Sequence, residues 1–170
     1  TGGKDYVDTL SQTLTGASFT FGENLQHTIY VPVDHRDTHN HPLSFLTELL
    51  VHAHDKEGKA LVAHNSRFEQ QILERDLGLD IADWQDSITW TSYYDENLME
   101  GANGGGNLKE VSLQLLRHVQ VQYSEVLASS GATNMREVSG QQVLHYGCDD
   151  ALTSAHIWVV QTFACALERQ

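Results

Sequence analysis

A phenol and a carboxylate stand four residues apart near the end of the chain, a spacing that could serve metal-assisted hydrolysis. Tyr146 and Asp150 fall in a run, residues 139–170, whose pattern predicts mostly helix, so both side chains should lie on one helical face. Divalent cations prefer carboxylate oxygens, and a group within hydrogen-bond reach of an attacking water can orient it. The alternative is structural: the tyrosine packs on the core and the aspartate faces water.

A second candidate lies at a predicted strand-to-helix junction. Residues 60–64 predict a short buried strand, and residues 67–77 predict a helix. Asn65 and Glu69 are four residues apart at the start of this helix, so the amide and the carboxylate are expected to point the same way, off the carboxyl end of the strand. The alternative is that Asn65 is only an N-cap and Glu69 a first-turn acid favoured by the helix dipole.

The two places together would suit a phosphodiesterase that uses two cations. Metal ions about 4 Å apart can clamp the attacking and leaving oxygens of an in-line displacement at phosphorus. In such a site carboxylates fix the ions, and Tyr146 would orient the attacking water. The sequence therefore predicts that these two junctions face each other.

The remaining pattern predicts one α/β domain over residues 1–170, a mixed sheet with helices packed on it. Residues 17–21 and 27–33 predict a hairpin, and residues 81–90 form another apolar segment. Further helices are predicted over residues 43–54, 92–99 and 108–116. Residues 1–11, the glycine-rich stretch 101–107 and residues 122–138 are expected to be loops or irregular connections.

The charge balance bears on possible partners. With 10 Lys and Arg against 23 Asp and Glu, the net charge is -13, so the surface should repel a polyanion unless cations mediate the contact. Cys148 and Cys165 lack the spacing of a zinc cluster and are expected to be free thiols in a reducing compartment. Without a signal peptide or an apolar run of about 18 residues, we expect a soluble, cytoplasmic protein with no membrane partner.

Other side chains have both a functional and a structural interpretation. His35, His39 and His41 share one loop that could bind zinc, but a solvent-exposed loop near a substrate entrance is the favoured interpretation, because such a loop does not fix ligands. His64 and His145 could touch a phosphate or be structural. Asp86 is expected to secure its own helix start rather than to bind metal. Core packing, with base stacking as the alternative, is expected for Trp84, Trp90 and Trp158.

Short motifs along the chain carry a resemblance to a known family: GASF at 16–19, YVPV at 30–33, NSRFE at 65–69, DSI at 86–88, LKEV at 108–111 and YGCDD at 146–150. In order and spacing, nearly the whole chain resembles the 3′-5′ exonuclease (proofreading) domain of family A DNA polymerases, in particular phage ones. The resemblance implies a ribonuclease H-like mixed sheet flanked by helices and the DEDDy class of two-metal exonucleases. It also implies two Mg²⁺ or Mn²⁺ ions, the 3′ end of single-stranded DNA as substrate, and a polymerase domain that follows in the same parent chain.

The resemblance assigns roles to individual residues. Asp150 corresponds to a metal ligand, Tyr146 to the residue that orients the nucleophilic water, and Glu69 to the metal-binding aspartate of the second motif. Asn65 and Phe68 correspond to residues beside the bound strand. Glu69 departs from the family pattern, because its extra methylene could change direct metal contact into water-mediated contact.

The first family motif, Asp-x-Glu, is missing. Asp5 and Asp8 are near the expected place, but Leu10 stands where the glutamate should be. The family motif is commonly followed by a Thr-Gly turn, and this chain begins with Thr1 and Gly2. The expectation is that the motif and the first strand lie just before Thr1.

Two alternatives to an active proofreading domain remain open. One is a catalytically inactive exonuclease fold that serves as a structural module of a polymerase, which the missing motif and Glu69 favour. The other is a stand-alone RNA-trimming exonuclease of the same fold. Residues 166–170 read as a helix running on into another domain, which favours the polymerase context.

Overall fold

The computed structural model describes residues 13–99 and 106–167. The predicted loop 1–11, with Asp5 and Asp8, lies outside the described residues, as does most of the glycine-rich stretch 101–107. Within the described part of the chain, no helix is both long enough and apolar enough to cross a membrane.

The first two strands form the predicted hairpin. Strand β1 (Gly16–Phe21) pairs antiparallel with β2 (His27–Pro32), in a register that sets Gly16 opposite Pro32 and Phe21 opposite His27. Gly22 begins the turn with a φ of 99°, a backbone conformation that residues other than glycine rarely adopt. The alternation of apolar and polar residues along both strands thus identified this unit correctly.

The next two strands form a separate parallel pair. Strand β3 (Leu61–Ala63) pairs with β4 (Trp84–Asp86), and helix α2 (Ser66–Leu77) makes the crossover between them. The described strands therefore make two small sheets instead of the single mixed sheet expected, because no ladder joins the hairpin to this pair. The α/β class with flanking helices is confirmed.

Five further helices complete the described fold. Helix α1 (Leu43–Val51) continues as a π-helical turn (His52–Lys56), and α3 (Ser87–Tyr94) is followed by a 3-10 turn (Glu96–Met99). The others are α4 (Leu108–Leu116), α5 (Tyr123–Ser130) and α6 (Gly140–Leu167). The prediction of a helix beginning at residue 92 was wrong, since α3 begins five residues earlier, directly after Asp86.

Helix α5 corrects the expectation that residues 122–138 form an irregular connection. Its start has a capping arrangement, in which the Gln122 backbone N–H donates to Glu125 Oε2 at 2.8 Å. Its end is set by Gly131, whose φ of 68° is the left-handed conformation typical of helix termination. Both signals come from residues at the ends of the helix itself, and they define where this short helix begins and ends.

Helix α6 is the element on which the rest of the fold packs. It contacts both strands of the hairpin, β3, and helices α3, α4 and α5. Gly147 allows a close approach to the hairpin, because a Cβ there would lie 3.3 Å from Tyr30 Cδ2 and 3.4 Å from Ser18 Oγ. Deeper along the helix, Ile157 is fully buried and Gln161 Nε2 donates to Thr91 Oγ1 of α3 at 2.7 Å. Contacts in both halves of α6 thereby fix the helix against the hairpin and α3.

Candidate functional site

Tyr146 and Asp150 lie on α6, so the predicted helical setting of this pair is confirmed. Asp150 does not simply face water, since its side chain is 26% exposed. Its Oδ1 accepts hydrogen bonds from Lys109 Nζ and Gln120 Nε2, both at 2.8 Å. The Tyr146 phenol lies close enough for it and the carboxylate to shift each other's pKa. Two donors from outside α6 therefore hold the carboxylate, with the phenol beside it.

The surroundings determine the charge state of this pair. Burial raises the pKa of Asp150, while the hydrogen bond and positive charge of Lys109 act in the opposite direction. Burial also raises the pKa of Tyr146, and the negative charge of Asp150 raises it further. Lys109 Nζ lies 4.8 Å from the centroid of the Tyr146 ring, within the range of a cation–π contact. Tyr146 consequently keeps its proton and acts as a hydrogen-bond donor.

Lys109 and Gln120 come from elements whose geometry is fixed locally. Lys109 is in the first turn of α4, whose start is capped by Asn107, which accepts from the Glu110 backbone N–H at 3.0 Å. Gln120 lies in the segment between α4 and α5 and is 4% exposed. Sequence reasoning missed both as site residues; Lys109 lies within the LKEV motif, which was the one available signal.

Two clefts open on either side of this group. The larger, about 560 Å³, lies beside α5 and α6 and is lined by Tyr146, Asp149, His118 and His145. The smaller, about 390 Å³, is lined by Lys109, Gln120 and residues near the start of α4. At the mouth of the larger cleft, His118 Nε2 lies 2.8 Å from Asp149 Oδ1. Tyr146 thus faces the larger cleft and Lys109 the smaller, while Asp150 itself lines neither.

Asp86 holds together the two strand-to-helix junctions of the β3–β4 pair. Its Oδ1 accepts from the backbone N–H groups of Ile88 (2.9 Å) and Asn65 (3.0 Å). Its Oδ2 accepts from the backbone N–H (3.0 Å) and Oγ (3.1 Å) of Ser66. The prediction that Asp86 secures its own helix start is confirmed, and the same carboxylate also caps α2.

Replacing Asp86 by alanine should therefore destabilise the fold. Four donors lose their acceptor, and helices α2 and α3 both lose a cap. We expect the free energy of unfolding to fall by about 2 kcal/mol or more, measured by urea denaturation. Asp83→Ala, at an exposed position just before β4, is the matched control and should change it by less than about 0.5 kcal/mol. An equal effect of both substitutions would contradict the role assigned to Asp86.

Asn65 occupies the N-cap position of α2, as expected, but it does not cap the helix with its side chain. Asn65 has left-handed backbone angles (φ 74°, ψ 56°), and its side chain makes no capping hydrogen bond. Because this residue is outside the helical conformation, the four-residue spacing does not align its side chain with Glu69. Asn65 is exposed, whereas Phe68 is half-buried.

Glu69 is a first-turn acid of α2, as expected, but one of its carboxylate oxygens is buried without a partner. Its Oε2 is shielded from solvent and has no hydrogen-bond partner. Burial raises its pKa from 4.5 to about 7; its own backbone N–H opposes this shift, and the negative charge of Asp86 adds to it. Buried unpaired carboxylates are costly, so such a group indicates a place for a proton or a cation.

The two candidate places lie on elements that are in contact with each other, but within the described residues no hydrogen bond or ion pair joins their carboxylates. Strand β3, which precedes the Glu69 helix, contacts α6. Among the hydrogen bonds and ion pairs described for residues 13–99 and 106–167, none joins Glu69 or Asp86 to Asp150. In those same ranges, no group of three or more His, Cys, Asp and Glu side chains could hold a metal ion.

His64 has a structural role. Its Nε2 lies 2.6 Å from the Gly106 carbonyl, which can only accept, so Nε2 carries the proton and Nδ1 accepts from the Ser87 hydroxyl at 2.7 Å. Burial lowers the pKa of His64, which keeps the ring neutral. With both nitrogens engaged, the phosphate contact considered for His64 finds no support. His145, in contrast, is exposed at the larger cleft.

The expectation of a solvent-exposed histidine loop was wrong for His35, which is 2% exposed. Its Nδ1 donates to the Val138 carbonyl at 2.8 Å, and its Nε2 accepts from the Tyr30 hydroxyl at 2.6 Å. Burial raises the pKa of Tyr30 to about 12, so that hydroxyl remains a donor. His39 is exposed and His41 half-buried. A zinc site that uses His35 would have to break both of its hydrogen bonds.

The three tryptophans, Trp84, Trp90 and Trp158, are half-buried, as expected of side chains at the edge of the core.

In comparisons with known proteins, the chain matches no family model and no curated protein.

Proposed function

We propose that this chain is the 3′-5′ exonuclease domain of a DNA polymerase and hydrolyses the 3′-terminal phosphodiester of single-stranded DNA with the aid of two Mg²⁺ or Mn²⁺ ions. The observation that carries the proposal is the Tyr146–Asp150 unit. A half-buried carboxylate already paired with a cationic group lies beside a protonated phenol, and the phenol lines an open cleft.

The donor chemistry suits hard divalent cations. Asp150 offers a carboxylate that already accepts a cationic partner, and Glu69 offers a buried oxygen that no protein group satisfies. The described residues do not form a complete coordination shell, so the proposal requires further carboxylates from outside them. When bound, the ions would supply an activated water and stabilise charge on the phosphate.

The chain's own residues would orient the reacting groups. The Tyr146 hydroxyl, which keeps its proton, can donate to an oxygen placed between it and Asp150. Exposed Asn65 and half-buried Phe68, at the β3–α2 junction, are available to contact the strand. With a net charge of -13, the protein would need the cations to hold a polyanion at this site.

The test is degradation of a 5′-labelled single-stranded DNA oligonucleotide with Mg²⁺ or Mn²⁺ by the longest natural polypeptide that contains this chain. Tyr146→Phe should slow the reaction by about 10- to 100-fold, because it deletes one orienting hydrogen bond and leaves the carboxylates in place. Tyr93→Phe removes a phenol hydroxyl from an exposed residue and should not alter the rate. An unchanged rate in Tyr146→Phe would remove Tyr146 from the mechanism.

A further inference from the structure

The Lys109 ammonium lies against the Asp150 carboxylate, which is the group that a metal ion would bind under the proposed function. Lys109 Nζ lies 2.8 Å from Asp150 Oδ1 and 4.8 Å from the centre of the Tyr146 ring. Its side chain is 18% exposed and that of Asp150 is 26% exposed, so water screens this ion pair less than a surface pair. Lys56 and Lys59, the other lysines in the described ranges, are exposed.

A metal ion and both present donors cannot bind Asp150 Oδ1 at the same time. Oδ1 already accepts from Lys109 and from buried Gln120, both at 2.8 Å. A carboxylate oxygen has about two good acceptor directions, so a metal ion bound to Oδ1 would have to replace one of these donors. Repulsion between like charges makes the ammonium, rather than the neutral amide, the group that must withdraw.

A cleft next to Lys109 has room for its ammonium when the ammonium leaves Asp150. Lys109 lines this smaller cleft, about 390 Å³, together with Asn107, Gln120 and Gln122. Four flexible bonds in its side chain allow the ammonium to turn from Asp150 into this cleft without a change in the backbone.

We propose that Lys109 is the resident counter-ion of Asp150 and sets the affinity of the site for divalent cations by competing with them for that carboxylate. The proposal rests on the proposed function only in taking Asp150 as a cation ligand. Lys109 neutralises a half-buried carboxylate when no ion is bound, and it thereby weakens ion binding. It is a positioning residue that acts through Asp150.

The experiment measures Mn²⁺ binding without DNA, by electron paramagnetic resonance of free Mn²⁺, on the longest natural polypeptide that contains this chain. The Kd compared between variants is that of the Mn²⁺ binding that is lost in Asp150→Ala, because only that binding depends on the Asp150 carboxylate. Lys109→Met should lower this Kd by about tenfold, because a neighbouring positive charge and a competitor are both lost. Lys109→Gln should act in the same direction, and it serves in place of the methionine variant if that variant does not fold. Lys109→Arg keeps the charge and the competitor beside Asp150, so its Kd should not fall below that of the wild type.

Lys59→Met is the matched control, since it lowers the net charge equally at an exposed position. Its Kd should be unchanged. Unchanged or weaker Mn²⁺ binding in both neutral Lys109 variants, or an equal change in Lys59→Met, would overturn the proposal. The proposal would also be overturned if neither the wild type nor the Lys109 variants showed any Mn²⁺ binding that depends on Asp150. Because no nucleic acid is present, a protein without nuclease activity could still satisfy this test, and the two proposals can fail separately.

Discussion

Asp150→Asn is expected to reduce 3′-terminal hydrolysis by about a thousandfold or more, because several kcal/mol of charge stabilisation depend on one carboxylate. The asparagine keeps the size of the side chain and can still accept from Gln120, so the fold should persist. Its loss of negative charge, however, leaves the Lys109 ammonium unpaired and removes the carboxylate that we propose as a cation ligand. The rate is measured on a 5′-labelled single-stranded oligonucleotide with saturating Mg²⁺.

Asp149→Asn provides a stringent control. It is the same chemical change at the next residue, where the carboxylate pairs with His118 at the mouth of the larger cleft and is 32% exposed. Exposed pairs contribute little, so we expect less than about a fivefold change in rate. Equal losses in both variants would mean that general negative charge, and not the Asp150 carboxylate, supports the reaction.

Glu69→Gln is expected to lose activity and gain stability. The amide cannot supply a charged ligand, so the rate should fall by about a hundredfold or more. In EDTA at pH 8, where the wild-type carboxylate is ionised and unpaired, the variant should be more stable by about 3 kcal/mol, from a pKa of about 7 against an ordinary value of 4.5.

The pH dependence follows from the direction of this shift. Because the folded pKa is raised, the folded protein binds its proton more tightly than the unfolded chain. The stability due to protonated Glu69 is fully present below about pH 4.5 and is lost as the pH rises to about 7. The difference between variant and wild type should therefore grow over this window and then level off.

The measurement is urea denaturation of both proteins in EDTA at a series of pH values. Glu74→Gln, at an exposed position on the same helix, controls for the loss of one negative charge and should show no such trend. A constant difference between pH 4.5 and 8 would show that Glu69 is not a buried, unpaired carboxylate.

Elements with strong local patterns could be predicted from the sequence. The hairpin follows from alternation around Gly22, and α6 follows from a long uninterrupted run without proline. Helix α5 was missed because it is short and has little apolar periodicity, although Gln122, Glu125 and Gly131 mark its ends. Asp86 was correctly predicted to hold a helix start, since an acid just before a helix is a local signal.

Contacts distant in sequence were not predictable. Lys109 and Gln120 are 41 and 30 residues from Asp150, and only the packing of α4 against α6 brings them to its carboxylate. The backbone conformation of Asn65, which sits at the N-cap position without a side-chain cap, has a different origin. Asparagine suits both an N-cap and a left-handed backbone, and the second is selected here because Asp86, 21 residues away, holds its N–H. The burial of Glu69 likewise depends on tertiary packing.

The most direct test of a cation-dependent 3′-5′ exonuclease compares two single-stranded DNA oligonucleotides, one labelled at the 5′ end and one at the 3′ end. Each is incubated with the longest natural polypeptide that contains this chain and with Mg²⁺ or Mn²⁺. We predict stepwise shortening of the first, immediate release of a labelled mononucleotide from the second, and no reaction in EDTA or in Asp150→Asn. No shortening by the folded protein with either metal would contradict the account and leave this fold as a structural module.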